Sequence, residues 1–289
     1  MRGLRTALSA LGLAAYEPLT FLPFRDSNRA LQDVPADDFS RAIYDQERSR
    51  IEQGYALLAP KGDLQADIGV AFEVGYAAGV DTPAVLLWFN FFVLRYDGTE
   101  ETLLAPPLLG RLATRIENLG RFDLSLRFDG REDYLRRAAA ALDGAEAAAA
   151  PVAGRVHLEF GGGQFEVQRG WAARLGAELE RAGFSVSVSR RYEGTGSLRE
   201  RAAADLAAAA TSELVVTLAE GSDVDGETAA LQGYAHGLGC KVLLNSSGRW
   251  RIYTGPEYDH RHNLMLRYSA DRTVRRLEEV VPAARSLLG

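Results

Sequence analysis

The sequence predicts an α/β protein made of two doubly wound parallel-sheet domains related by internal duplication. Three observations carry that expectation. Apolar runs alternate with helical stretches, the chain aligns with itself, and its 289 residues suit two domains of ordinary size.

Composition narrows the class first. The chain is 47% hydrophobic and 25% charged, as expected of a globular protein. A net charge of -6 argues against a phosphate-backbone partner, and the arginines are scattered along helical stretches as solvated faces rather than gathered in a block. The single cysteine, Cys240, has no internal partner, which points to a reducing cytoplasm and to a buried residue beside the apolar run KVLL. Four histidines (His157, His236, His260, His262) show no zinc-ligand spacing, so no metal is expected.

The elements follow in order. Arg2 and Arg5 ahead of ALSALGLAAY resemble a short signal peptide, but the repeat described below gives the segment a place as a helix. YALLAP (55–60) is an apolar strand, followed by an acidic loop, a helix of small residues and a second apolar run, PAVLLWFNFFVL (Pro83 to Leu94). That run is too short to span a membrane and is expected as a buried strand. An alanine-rich stretch from Arg137 to Gly154 is broken by Pro151 and Gly154, which places a boundary near residue 150 and domains at 1–150 and 151–289. The second half opens with a strand and glycine turn, RVHLEFGGGQF, and then repeats the order helix, strand (ELVVTL), acidic loop, small-residue helix, strand (VLLN).

The two halves align at an offset of 158 residues. Asp67 falls on Asp225, Ala71 on Ala229, Gly75 on Gly233, Tyr76 on Tyr234, Ala77 on Ala235, Gly79 on Gly237 and Leu86 on Leu244. Strands that are apolar throughout imply a parallel sheet covered on both faces, of flavodoxin or Rossmann type. The long period implies a duplicated domain, and hence a pseudo-dimer. At Met1 the first copy is already inside its first helix, so it lacks the opening strand and glycine turn.

The segment DLQADIGVAFEVGYAAG (Asp63 to Gly79) carries the chemistry. Between Ile68 and Val80, Glu73 and Tyr76 are the only ionisable side chains, and the neighbours Val70, Phe72, Val74 and Ala77 suit burial. A lone carboxylate on such a helix is costly unless it is paired or functional; the other reading is an exposed helix-face glutamate. Its expected position, after a parallel strand, borders the crevice where α/β sheets bind ligands. Asp67 would point about 120° away from Glu73 on one continuous helix, so it belongs at the helix start, as an N-cap or a ligand acceptor. Gly75 and Gly79 leave a bare strip for close backbone approach.

The pattern D-x-G-x-x-x-E-x-G-Y-A, here Asp67, Gly69, Glu73, Gly75, Tyr76 and Ala77, resembles the signature of the nucleoside 2-deoxyribosyltransferase family. In that family the glutamate attacks the sugar C1′ and the aspartate holds the 5′-hydroxyl, so the resemblance implies Glu73 as nucleophile and Asp67 and Gly69 in the sugar site. Relatives that hydrolyse nucleoside monophosphates resemble this motif but carry serine where Asp67 stands; a carboxylate there implies a free nucleoside. Members also carry an aspartate twenty residues earlier, at Glu47 in the first copy and Asp205 in the second; the longer Glu47 would contact the base from a shifted position. The family's glycine turn is matched only by Gly161, Gly162 and Gly163. An asparagine-leucine-methionine run, supplied in the family by the neighbouring subunit, is matched by Asn263-Leu264-Met265 alone. Resemblance covers most of 155–275 and about 35–95. Leu231 stands where the second copy would need its glutamate, so Asp205, Asp225 and Gly161 to Gly163 outline a degenerate second site.

The expected function is cleavage or transfer at the N-glycosidic bond of a (deoxy)nucleoside by double displacement through Glu73, at one composite site that takes Asn263 from the second copy. The alternatives are a catalytically inactive nucleoside- or nucleotide-binding protein and a purely structural pseudo-dimer. No cofactor is implied. The expected partner is a small-molecule nucleoside or nucleobase, with no nucleic acid and no membrane, and with room for a homo-oligomer of pseudo-dimers.

Overall fold

The computed structural model describes residues 36–54, 56–61, 67–88, 94–95, 102–103, 105–118, 151–161, 166–219, 224–246 and 263–289. The helix expected at the N-terminus, the boundary near residue 150, Gly162 and Gly163, most of both acidic loops and residues 89–93 of the long apolar run lie outside them.

In the first half, helix α1 (Ala36–Gln53) leads to β1 (Leu57–Lys61), α2 (Ile68–Gly79) and β2 (Ala84–Trp88). A short antiparallel pair, β3 (Leu94–Arg95) and β4 (Thr102–Leu103), precedes α3 (Pro107–Leu112) and β5 (Arg115–Asn118). Strands β1, β2 and β5 form a three-stranded parallel sheet in that order.

The second half runs β6 (Val152–Glu159), α4 (Glu166–Arg181), β7 (Ser185–Val188), α5 (Leu198–Ala210), β8 (Ser212–Ala219), α6 (Gly226–Gly237), β9 (Lys241–Ser246), α7 (Leu264–Ser269), β10 (Arg272–Val274) and α8 (Val280–Leu288). Its sheet is parallel throughout in the order β7-β6-β8-β9-β10. Numbered within the half, that is 2-1-3-4-5, the flavodoxin-like winding, whose ligand crevice opens at the carboxyl ends of the first and third strands.

Period-two alternation explains why this sheet is covered on both faces. Val156 and Leu158 of β6 enter a core with Leu175 and Leu179 of α4 and Val280, Ala283 and Ala284 of α8. His157 and Glu159 therefore face the other side, where α5 and α6 pack. The expected break at Pro151 and Gly154 takes a different form. The strand starts at Val152, and Gly154, at φ +70°, accommodates a shift in register between Val152 and Val156.

A second core belongs to both halves at once. It contains Tyr44 and Ile51 of α1, Phe72 and Val74 of α2, Leu108 and Leu109 of α3, Leu206 of α5, Leu231 of α6 and Leu266 of α7. Phe72 and Leu231 are fully buried, each contributing about 1.5–3 kcal/mol of transfer free energy. The hydroxyl of Tyr44 meets Nε2 of His236 at 2.7 Å, tying α1 to α6.

Helices α2 and α6 cross in direct backbone contact, and their contacts come in exchanged pairs. A Cβ on Gly75 would lie 1.8 Å from the carbonyl oxygen of Ala230, and one on Gly233 would lie 2.2 Å from that of Phe72. A Cβ on Gly79 would lie 2.5 Å from the oxygen of Tyr234, and one on Gly237 would lie 2.7 Å from that of Tyr76. Each contact recurs with its two positions swapped by 158 residues. No described helix is long and apolar enough to cross a membrane.

Candidate active site

Asp67 sits at the N-cap of α2 with extended backbone (φ -53°, ψ 134°), and its Oδ1 accepts the Val70 N–H at 3.1 Å. This is the capping role expected for an aspartate at a helix start, and the residue stays exposed. One turn into the helix, Ala71, Phe72, Val74, Gly75, Tyr76 and Ala77 are all buried. Glu73 is left on a partly open strip one helical turn beyond Gly69.

Three carboxylates converge there from two elements. Glu47 is buried on α1 at 8% exposure. Burial first, then the charges of Glu47 and Asp67, push the Glu73 pKa up to about 8. Among the described residues no side chain or backbone group donates a hydrogen bond to Glu73. A carboxylate held in this way is unusually basic.

The second half supplies the remaining residue. Asn263 caps α7, its Oδ1 taking the Met265 N–H at 2.9 Å. Its amide nitrogen faces α2, since a Cβ built on Gly69 would lie 3.4 Å from Nδ2 and 3.2 Å from Asp67 Oδ1. Asn263 thus reaches the Asp67–Gly69 end of the helix that bears Glu73, although it lies far away in sequence. Any side chain at position 69 would press on both groups, so glycine keeps this end open.

In the second half a buried ion cluster occupies the carboxyl end of β6. Arg191, fully buried, lies at the carboxyl end of β6 and forms a bidentate pair with Glu159, at 2.9 Å and 3.1 Å. Its Nε reaches Glu227 at 3.2 Å, and Nη1 reaches Asp205 at 3.5 Å and Ser189 at 2.8 Å. Burial alone would raise the Glu159 pKa, but the guanidinium outweighs it and holds the group at about 2. Asp225 caps α6 through the N–H groups of Glu227 and Thr228. Gly161, at φ +81°, donates its N–H to Glu159, and a Cβ there would lie 3.3 Å from Asp225 Oδ2. The expected second-site residues Asp205, Asp225 and Gly161 are therefore gathered, but around a buried arginine to which the sequence gives no site role.

Residues 1–120 match the family model described as nucleoside 2-deoxyribosyltransferase. The match spans less than half of the chain and takes in Glu47, Asp67, Gly69 and Glu73. It points to an enzyme of the nucleoside deoxyribosyltransferase type, acting by nucleoside glycosyl transfer on a small-molecule substrate. Arg191, Glu227 and Asn263 lie beyond the matched span. No curated protein matches the chain.

Proposed function

We propose that the chain cleaves or transfers the N-glycosidic bond of a (deoxy)nucleoside by double displacement, with Glu73 as the nucleophile. The observation that carries this reading is the convergence of Glu47, Asp67 and Glu73 inside the span matched by the deoxyribosyltransferase family, with the Asn263 amide alongside. In the first step a Glu73 oxygen bonds to C1′ as the C1′–N bond breaks, and the base leaves with the bonding pair and is protonated. In the second step another base or a water attacks C1′ and returns the Glu73 carboxylate. Asp67 accepts a hydrogen bond from the 5′-hydroxyl, Glu47 contacts the base, and the open Gly69 backbone lets the sugar approach.

The same reading takes 1–150 and 151–289 as the two copies of a duplicated unit forming a pseudo-dimer. Three features support it: the exchanged contacts of α2 and α6, the helix boundaries 68–79 and 226–237, and the shared order β1-β2-β5 and β8-β9-β10. One composite site then survives, with Glu73 from one copy and Asn263 from the other.

Incubating the protein with a panel of ribo- and deoxynucleosides and measuring free base tests the function. Base release from at least one nucleoside is expected; tight binding without release would leave a binding protein and overturn the catalytic reading. Because the nucleophile must be ionised, kcat/KM should rise with pH and level off above about 8, following the raised Glu73 pKa. A profile flat from about pH 6 to 9 would contradict that assignment. Asn263→Ala should lower kcat/KM about 10–100-fold, as expected for losing a positioned polar contact. Unchanged kinetics in that variant would remove Asn263 from the site.

A further inference from the structure

The buried ion cluster of the second half also reaches the first half. Glu227 stands at the position that Gly69 occupies in the first half, and its carboxylate is shared between the halves. One oxygen accepts from Arg191 Nε and the Tyr192 hydroxyl; the other accepts the Leu108 N–H at 2.6 Å, at the start of α3 in the first half. Helix α3 has Pro106 at its N-cap and gains no side-chain cap of its own there. Leu108, Leu109 and Leu112 of α3 then enter the same core as Phe72 and Val74, the residues on either side of Glu73.

Stability alone does not account for such a cluster. A buried ion network often gives no advantage over apolar residues of the same volume, and its best-attested use is to fix one arrangement among several. Here the arrangement it fixes is the seating of a first-half helix against α2. We propose that Arg191 and Glu227 are positioning residues for the first-half site: the Arg191 guanidinium holds Glu227, Glu227 holds the start of α3, and α3 sets the position of α2 beneath Glu73. The decayed site thereby serves the surviving one. This proposal rests on the glycosidic and duplicated-unit readings above.

The test uses the full chain with Arg191→Met and Glu227→Gln. Glutamine keeps the volume of Glu227 but offers one oxygen to three donors and turns an N–H₂ toward the rest. Amide exchange at Leu108 and across Gly69–Glu73 should accelerate about tenfold or more in both variants. The kcat on the best nucleoside should fall about tenfold with KM little changed, since alignment rather than ground-state binding is lost. In Arg191→Ala, millimolar guanidinium should restore part of both readouts, because the pocket accepts that ion in place of the side chain. Unchanged exchange across Gly69–Glu73 would overturn the proposal, and so would accelerated exchange with wild-type kcat, which would leave the cluster purely structural. If Arg191→Met fails to fold, Glu227→Gln decides alone. If the wild-type chain releases no base, the glycosidic reading fails and the positioning role fails with it, whereas unchanged exchange or unchanged kcat beside wild-type turnover overturns the positioning role alone.

Discussion

Glu73→Gln is expected to lower base release by roughly three orders of magnitude or more, since the amide cannot form the glycosyl bond that the first displacement requires. The fold should survive. With a pKa near 8, the native carboxyl carries a proton at neutral pH, and glutamine is close to it in shape and charge. The sign of the stability effect follows from the same shift. A carboxyl whose folded pKa lies above its unfolded value contributes stability below the unfolded pKa, and that contribution is lost as pH rises through about 8. The variant lacks this titration. Its melting temperature should therefore fall less than that of the wild type between about pH 6 and 9, which paired thermal melts would show. Turnover within a few fold of wild type would remove Glu73 from the chemistry.

Gly75→Ala should cost more stability than a methyl group added at any other glycine of the α2–α6 crossing. Alanine favours a helix interior by about 1 kcal/mol over glycine. Against that gain, the new Cβ would sit 1.8 Å from the Ala230 oxygen and 2.7 Å from its carbonyl carbon. Both are backbone atoms of a packed helix that cannot swing aside, so α2 and α6 must separate. Overpacking of this kind costs about 3 kcal/mol or more, so the clash wins. Gly233→Ala should behave alike, because its Cβ would lie 2.2 Å from the Phe72 oxygen. Gly110→Ala is the control. Its nearest neighbour would be Ile116 Cδ1 at 3.7 Å, ordinary contact, so the propensity gain should show as neutral or slightly raised stability. Urea melts of the three variants read this ranking directly; equal stability of Gly75→Ala and Gly110→Ala would contradict the observed helix crossing.

Much of the scaffold is legible in the residues, for physical reasons. The runs YALLAP and ELVVTL are short and mostly apolar, as suits a strand inside a covered parallel sheet, and residues 57–60 and 213–218 lie in β1 and β8. The Asp67 and Asp225 caps are visible because a short acidic side chain before a run of small residues has few other uses. The paired glycines give away a close helix crossing, although not which helices cross. Strands β5 and β10 escape a sequence reading, because three or four residues leave no periodicity. Gly154 signals a break and a bulge equally, and only the register of β6 against β8 distinguishes them.

The site divides in the same way. Glu73 stands out because it is the lone carboxylate of an apolar helix, and Asn263 stands out only through the family motif. Arg191 does not stand out at all. Nothing local distinguishes a buried arginine from a solvated one when its partners, Glu159, Asp205 and Glu227, come from three separate elements and meet only in the folded sheet. The signal available was Glu159 closing the strand Val152–Glu159 at its buried end, where a carboxylate is costly without a cation.

A covalent glycosyl intermediate on Glu73 is detectable by mass spectrometry of the protein mixed with a turning-over nucleoside and quenched in acid. The expected result is a mass increment equal to one sugar residue, confined to the peptide containing Glu73 and absent from Glu73→Gln. Base release with no increment, or with the increment on a peptide lacking Glu73, would contradict it.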